Sequence, residues 1–205
     1  LASAALRAES YSDFGETFTG KLALRYDVND SFALRASVQN GFRAPSLQQQ
    51  FFTTTSTNFI NGVPFEITTF PAESPVATAL GSKALEAEQS VNLALGAVLR
   101  LGAVNITIDA YRIVVEDRIV LSENLTSPAV RNFLTSRGFV GIGGGRFFIN
   151  GVDTETQGVD IVGNYRLATD QIGVFNFTLA ANFNETEVTK VPATAQLTAL
   201  SPSPV

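Results

Sequence analysis

The chain has 205 residues, a net charge of −5, sixteen phenylalanines and sixteen glycines, with no tryptophan. It has no cysteine and no histidine. That excludes a disulfide framework, thiolate chemistry and the commonest metal ligand and general base, so no enzymatic activity, catalytic residue, metal site or cofactor is expected. The acidic balance has no basic cluster, which excludes a nucleic-acid partner. No apolar run approaches the ~18 residues of a membrane helix, but barrel strands need only ~9–11 alternating residues each. Starting at Leu1 and lacking methionine, the chain is expected to be part of a longer protein.

In chain order, residues 4–11 alternate weakly and end in the turn composition Ser12-Asp13-Phe14-Gly15. Residues 16–28 then place Phe18, Leu22, Leu24, Tyr26 and Val28 on one face, against Thr17, Thr19, Lys21, Arg25 and Asp27 on the other. Residues 31–43 repeat the pattern, with Phe32, Leu34, Ala36, Val38 and Phe42 opposing Ser31, Arg35, Ser37, Gln39 and Arg43. A period of two over this length predicts strands with one apolar and one polar surface. Asn29-Asp30 supplies the reversal between them. Residues 44–86 lose the alternation and read as a long loop, rich in Thr, Ser, Asn and Pro with scattered phenylalanines.

Alternation resumes over residues 89–101, reverses at Leu101-Gly102 and continues over residues 103–121. There the phase slips at Ile113 and Val115. The slip predicts a bulge, or a strand that has risen to where both faces are wet. Residues 122–154 form a second long loop. Within it Pro128 and Gly138 bracket a short helix, and the glycine run 141–145 reads as flexible. A last pair of strands spans residues 155–167 and 173–187. Beyond Thr189 the prolines and lost alternation suggest a third loop. The sum is an all-β antiparallel meander of about seven strands.

The apolar faces admit two covers, a second sheet or lipid. A soluble β-sandwich used for binding or adhesion is the first reading. The connections favour the second, because they alternate short and long, as in an outer-membrane barrel with turns at one end and loops at the other. The brief turn at 12–16 is the exception.

Residues 37–48, SVQNGFRAPSLQ, resemble the Gly-Phe-Arg-Ala-Pro-Ser-Leu stretch of TonB-dependent outer-membrane receptors. Leu85-Glu86-Ala87-Glu88-Gln89-Ser90 resembles that family's Leu-x-Pro-Glu-x-Ser segment, with Ala87 where proline is usual. Asp109-Ala110-Tyr111-Arg112-Ile113 with Asp117-Arg118-Ile119, then Asn150-Gly151-Val152-Asp153 and Glu155-Thr156-Gln157-Gly158-Val159-Asp160, resemble its later segments in the same order. The resemblance implies part of the wall of a transmembrane barrel of about twenty-two strands with a plugged lumen. It also implies an outer-membrane location and import of a scarce nutrient such as a siderophore, cobalamin or an oligosaccharide. The implied partners are outer-membrane lipid, the plug domain of the same full-length chain, TonB through an N-terminal segment outside this piece, and an extracellular small-molecule ligand. An isolated piece of wall would have two open edges and a bare apolar face, and so is expected to self-associate.

Arg43 either lines the upper lumen and meets an anionic ligand or pairs with a carboxylate of the wall or plug. The amides Gln48, Gln49, Gln50 and Asn58 and the rings Phe51, Phe52 and Phe59 are the predicted ligand contacts, since stacking surfaces beside amides suit sugars or chelate rings. The bland reading is loop packing on the barrel rim. Glu86 and Glu88 fall on one strand face and read as solvated. Asp153, Glu155 and Asp160 have the residue type of calcium ligands but not the spacing of a known loop. Phe14, Tyr26, Tyr111 and Tyr165 suit an interfacial aromatic girdle or ordinary packing.

Overall fold

A computed structural model describes residues 1–12, 14–60, 62–191 and 195–200. Asp13 of the expected first turn and the prolines Pro192, Pro202 and Pro204 of the expected third loop lie outside the described residues. Nine strands form one sheet, two more than the sequence predicts. In chain order they are β1 (Ala2–Tyr11), β2 (Gly15–Asn29), β3 (Phe32–Arg43), β4 (Thr54–Ile60), β5 (Val63–Phe70), β6 (Glu88–Leu101), β7 (Val104–Leu121), β8 (Gly144–Thr169) and β9 (Gly173–Lys190). Among the described residues α1 (Leu47–Phe51), α2 (Pro75–Ala79) and α3 (Pro128–Ser136) lie in the connections, and α4 (Ala195–Leu200) follows β9. The hydrogen-bonded order is β1-β2-β3-β6-β7-β8-β5-β4, with β9 also on β8.

The chain divides into two compact units. The first comprises Leu1–Phe42, Gln89–Val115 and Thr154–Val188. Its ladders keep the face assignment read from the sequence. Leu22 lies opposite Val38, Leu24 opposite Ala36 and Tyr26 opposite Leu34, while Lys21 faces Gln39 and Arg25 faces Arg35. The apolar side is bare: Leu24 is 50% exposed, Leu95 58% and Phe177 54%. In a sandwich those side chains would be buried against a second sheet. Among the described residues no such layer covers them.

On the polar side, Arg25 and Arg35 stand directly opposite each other, a like-charge pair that destabilises unless neutralised. Each has its own carboxylate. Arg25 Nη2 donates to Asp27 Oδ1 at 2.7 Å, and Arg35 Nε donates to Asp109 Oδ1 at 2.7 Å. Asp109 is on β7, so Arg35 must reach across β6, and it does so over Gly96. A Cβ at Gly96 would run first into Asp109 Oδ1 and would lie 2.7 Å from Arg35 Nε. The same device recurs where Tyr111 of β7 passes over Gly158 of β8 to accept a bond from Asn182 Nδ2 of β9 at 3.2 Å. Tyr111 therefore belongs to the polar face, not to an aromatic girdle. Gly96→Ala is expected to expel Arg35 from its bridge and cost about 1–3 kcal/mol, the usual penalty of overpacking. A mutant cycle in denaturant tests this, because the cost must shrink once Arg35→Ala together with Asp109→Ala has vacated the space.

The second unit comprises Arg43–Glu88, Glu116–Asp153 and Thr189–Val205. The two segments expected as long loops are not structureless: they hold α1, β4, β5, α2 and α3, and β8 begins at Gly144, well before the expected strand start at 155. Ser74-Pro75 and Ser127-Pro128 start α2 and α3 alike. The serine Oγ accepts from the N–H of Ala77 and Val130 at 3.2 Å, and proline fills the first helical position. Gly138, at φ +90°, closes α3 with Phe139 N–H donating to Leu134 O at 2.9 Å, as expected for its C-terminal stop. Leu80, Val130, Leu134, Phe147 and Leu197, each fully buried, meet in one core drawn from α2, α3, β8 and α4. The run 143–145 is not flexible but tightly packed. A Cβ would meet Glu66 O at Gly143, Thr126 Cγ2 at Gly144 and Phe70 Cε2 at Gly145, all within 3 Å. Glycine there lets β5 pair parallel with β8, Ile67 facing Gly144 and Phe70 facing Phe147.

Candidate functional site

The second unit carries two polar stations and the predicted ligand residues. At the first station β3 ends in Arg43, β6 begins with Glu88 and β7 passes through Ile119. Arg43 Nε donates to Glu88 Oε2 at 2.8 Å and Nη2 donates to Oε1, a bidentate pair. Ile119 N–H donates to Glu88 Oε1 at 2.8 Å. The Glu88 side chain is only 6% exposed, against 58% for Arg43. Burial by itself raises the Glu88 pKa. The Arg43 bond, the Ile119 N–H and the charges of Arg43 and Arg118 outweigh it and hold the carboxyl below the usual carboxylate range. Glu88 is thus not the solvated residue that its spacing from Glu86 suggests. Arg43 takes the wall-carboxylate pairing of its two sequence readings.

The second station centres on Asn150 of β8. Glu86 N–H donates to Asn150 Oδ1 at 2.9 Å, and Asn150 Nδ2 donates to Glu86 O at 2.9 Å and to Asp117 O at 2.8 Å. Asp117 N–H donates to Asp153 Oδ1 at 2.9 Å. Lys190 Nζ lies 3.4 Å from Asp153 Oδ2 and 3.8 Å from Asp117 Oδ1. Asp117 holds φ at +52°, a left-handed conformation that Asp tolerates better than most residues. It falls just beyond the phase slip at Ile113 and Val115. A cleft of about 340 Å³ opens beside this network.

The predicted ligand residues are distributed over two elements. Gln48, Gln49 and Phe51 lie on α1, with Phe52 at its C-cap, and Asn58 and Phe59 lie on β4. Gln49 is committed to a capping box: its N–H donates to Ser46 Oγ and its Oε1 accepts from Ser46 N–H. Gln50 Nε2 donates to Pro45 O at 3.1 Å. Asn58 Oδ1 accepts from Ser56 Oγ at 3.4 Å. The rings are open: Phe51 is 62% exposed, Phe52 48% and Phe59 72%. Asp153, Glu155 and Asp160 diverge to separate partners, Lys190, Arg112 and Asn182 respectively. No group of three or more metal-ligating side chains occurs among the described residues. Sequence reasoning missed Glu88, Ile119 and Asn150. A carboxylate at the first position of a resumed alternation, near a strand-end arginine, was the available signal for Glu88.

Residues 1–202 match the profile of a protein family described as TonB dependent receptor-like, beta-barrel. No curated protein matches the chain. Among solved structures, the chain is similar to the siderophore receptor PirA from Pseudomonas aeruginosa, at 19% identity and a TM-score of 0.62, covering 92% of this chain and 32% of that one. It is similar to the RagAB peptide importer at 13% identity and a TM-score of 0.61, covering 93% and 20%. It is also similar to the ferric enterobactin receptor PfeA from Pseudomonas aeruginosa at 17% identity and a TM-score of 0.59, covering 87% and 24%. The chain therefore spans between a fifth and a third of the chains it matches, and at these identities the likeness is one of fold.

Proposed function

We infer that this chain, which belongs to the TonB-dependent receptor-like β-barrel family, is wall and outer loops of a receptor that binds a scarce nutrient outside the cell and imports it. The observation that carries the reading is the bare apolar face of the first unit, with a polar face opposite. In this reading lipid covers the apolar face and a plug fills the lumen. TonB acts through a segment outside this chain, and the edges at β1 and β9 take up further barrel strands. The turns at 30–31, 102–103 and 170–172 face the periplasm. Ligand contact falls to the open rings Phe51, Phe52 and Phe59 with Gln48 and Asn58 beside them. Gln49 and Arg43, each engaged within the fold, shape the rim around them.

The test uses the full-length receptor in cells. Uptake of one member of a panel of labelled ferric siderophores, cobalamin and oligosaccharides is expected, and it must stop when the proton-motive force is dissipated. Phe51→Ala with Phe52→Ala is expected to weaken binding of that nutrient about tenfold, from ~0.5–1.5 kcal/mol of stacking per ring. Uptake that ignores the proton-motive force would overturn the energised reading. Unchanged affinity in the double variant would overturn the assignment of the rings.

A further inference from the structure

We propose that residues 82–87 form a detachable strap over the cleft of the second unit, and that Asn150 is its release point. The strap is neither helix nor strand. It starts after Gly81, which holds φ at +95°, and ends at the buried Glu88. Between those ends, Glu86 makes both of its backbone hydrogen bonds to the Asn150 side chain, so one amide stands where a neighbouring strand would otherwise be. A side-chain amide can turn away by rotation about its own bonds; a paired strand cannot. The same amide also holds Asp117 O, so its release frees the left-handed turn of β7 as well.

The cleft is lined by Lys83, Ala84 and Glu86 of the strap together with Asp117, Asn150 and Lys190. Lifting the strap therefore enlarges a cavity that already exists and presents it with amine, carboxylate and amide groups. The strap is not loose in its resting position, because Leu85 is buried against Ala72, Ile119 and Phe148. Its first residue is fixed by Ser82 N–H donating to Ala77 O at 3.0 Å, and between its ends Leu85 supplies an apolar hold and Asn150 a polar one. Only the polar anchor depends on a single side chain.

The experiment is hydrogen exchange on the full-length receptor in detergent, comparing Asn150→Ala with the parent. Peptides covering residues 82–87 are expected to exchange at least about tenfold faster, since several hydrogen bonds each contributing ~1 kcal/mol are lost. Peptides covering residues 130–134 of α3 keep their protection. Asn150→Asp retains an acceptor for Glu86 N–H and loses both donors, so its strap exchanges at an intermediate rate. Equal acceleration of strap and α3 would reduce Asn150 to a general stabiliser and overturn the proposal. So would a strap that exchanges at the parental rate.

Discussion

Replacing Arg43 by alanine is expected to destabilise the second unit by about 3 kcal/mol, the low end of the ~3–5 kcal/mol range for breaking a buried ion pair. The low end applies because Arg43 itself is more than half exposed, while the stranded partner is not. Glu88 would keep the Ile119 N–H and the charge of Arg118. Glu88→Gln is expected to cost less, because glutamine still accepts from both neighbours and leaves no buried charge. Denaturant unfolding of the full-length receptor, followed by a probe in the second unit, orders the two variants; Glu88→Gln costing as much as Arg43→Ala would refute the account. The pH dependence follows from the same geometry. The folded Glu88 pKa lies below its unfolded value, so its contribution is complete above about pH 4.3 and is lost as pH falls through the folded value. The parent is therefore expected to lose stability in that acid window more steeply than Glu88→Gln.

Leu22→Arg is expected to destabilise the protein by about 2–4 kcal/mol in a bilayer, the cost of placing a cation on the lipid face of a barrel near mid-depth. Leu22 lies mid-strand opposite Val38, on the bare face. Ser37→Glu, on the opposite face of β3 near Arg25 and Arg35, is expected to change stability by no more than about 0.5 kcal/mol. Urea unfolding in lipid vesicles separates them. Equal costs would mean that both faces see the same solvent, and the barrel reading would fail.

The first unit was legible because its signal is local. Side chains two residues apart share a face, and the Arg25/Arg35 and Leu22/Val38 oppositions follow from that period, the turn at Asn29-Asp30 and a register shift between Asp27 and Asn29. The second unit was not, because what decides it is contact between segments far apart in sequence. The hairpin of β4 and β5 did carry a local cue, Asn61-Gly62 between Phe59-Ile60 and Val63, with Ile60 opposite Val63 and Gly62 at φ +80°. Thr- and Ser-rich composition masked it. The glycines at 143–145 looked flexible because sequence shows an absent side chain but not the neighbour that requires its absence. Glu88 looked solvated for the same kind of reason. Its burial comes from Arg43 and Ile119, 45 and 31 residues away.

The core of the second unit also bears on how such a surface changes its preference. Leu80, Val130, Phe147 and Leu197 reach it from four separate stretches of chain, the end of α2, α3, β8 and α4. Transplanting one of those stretches from a relative would leave a hole or a clash where the other three expect a matching shape. New specificity is therefore accessible by two routes: point changes at the outward rings of α1 and β4, which the core does not use, or exchange of all four stretches as a set. Intermediate grafts fall between them and do not fold.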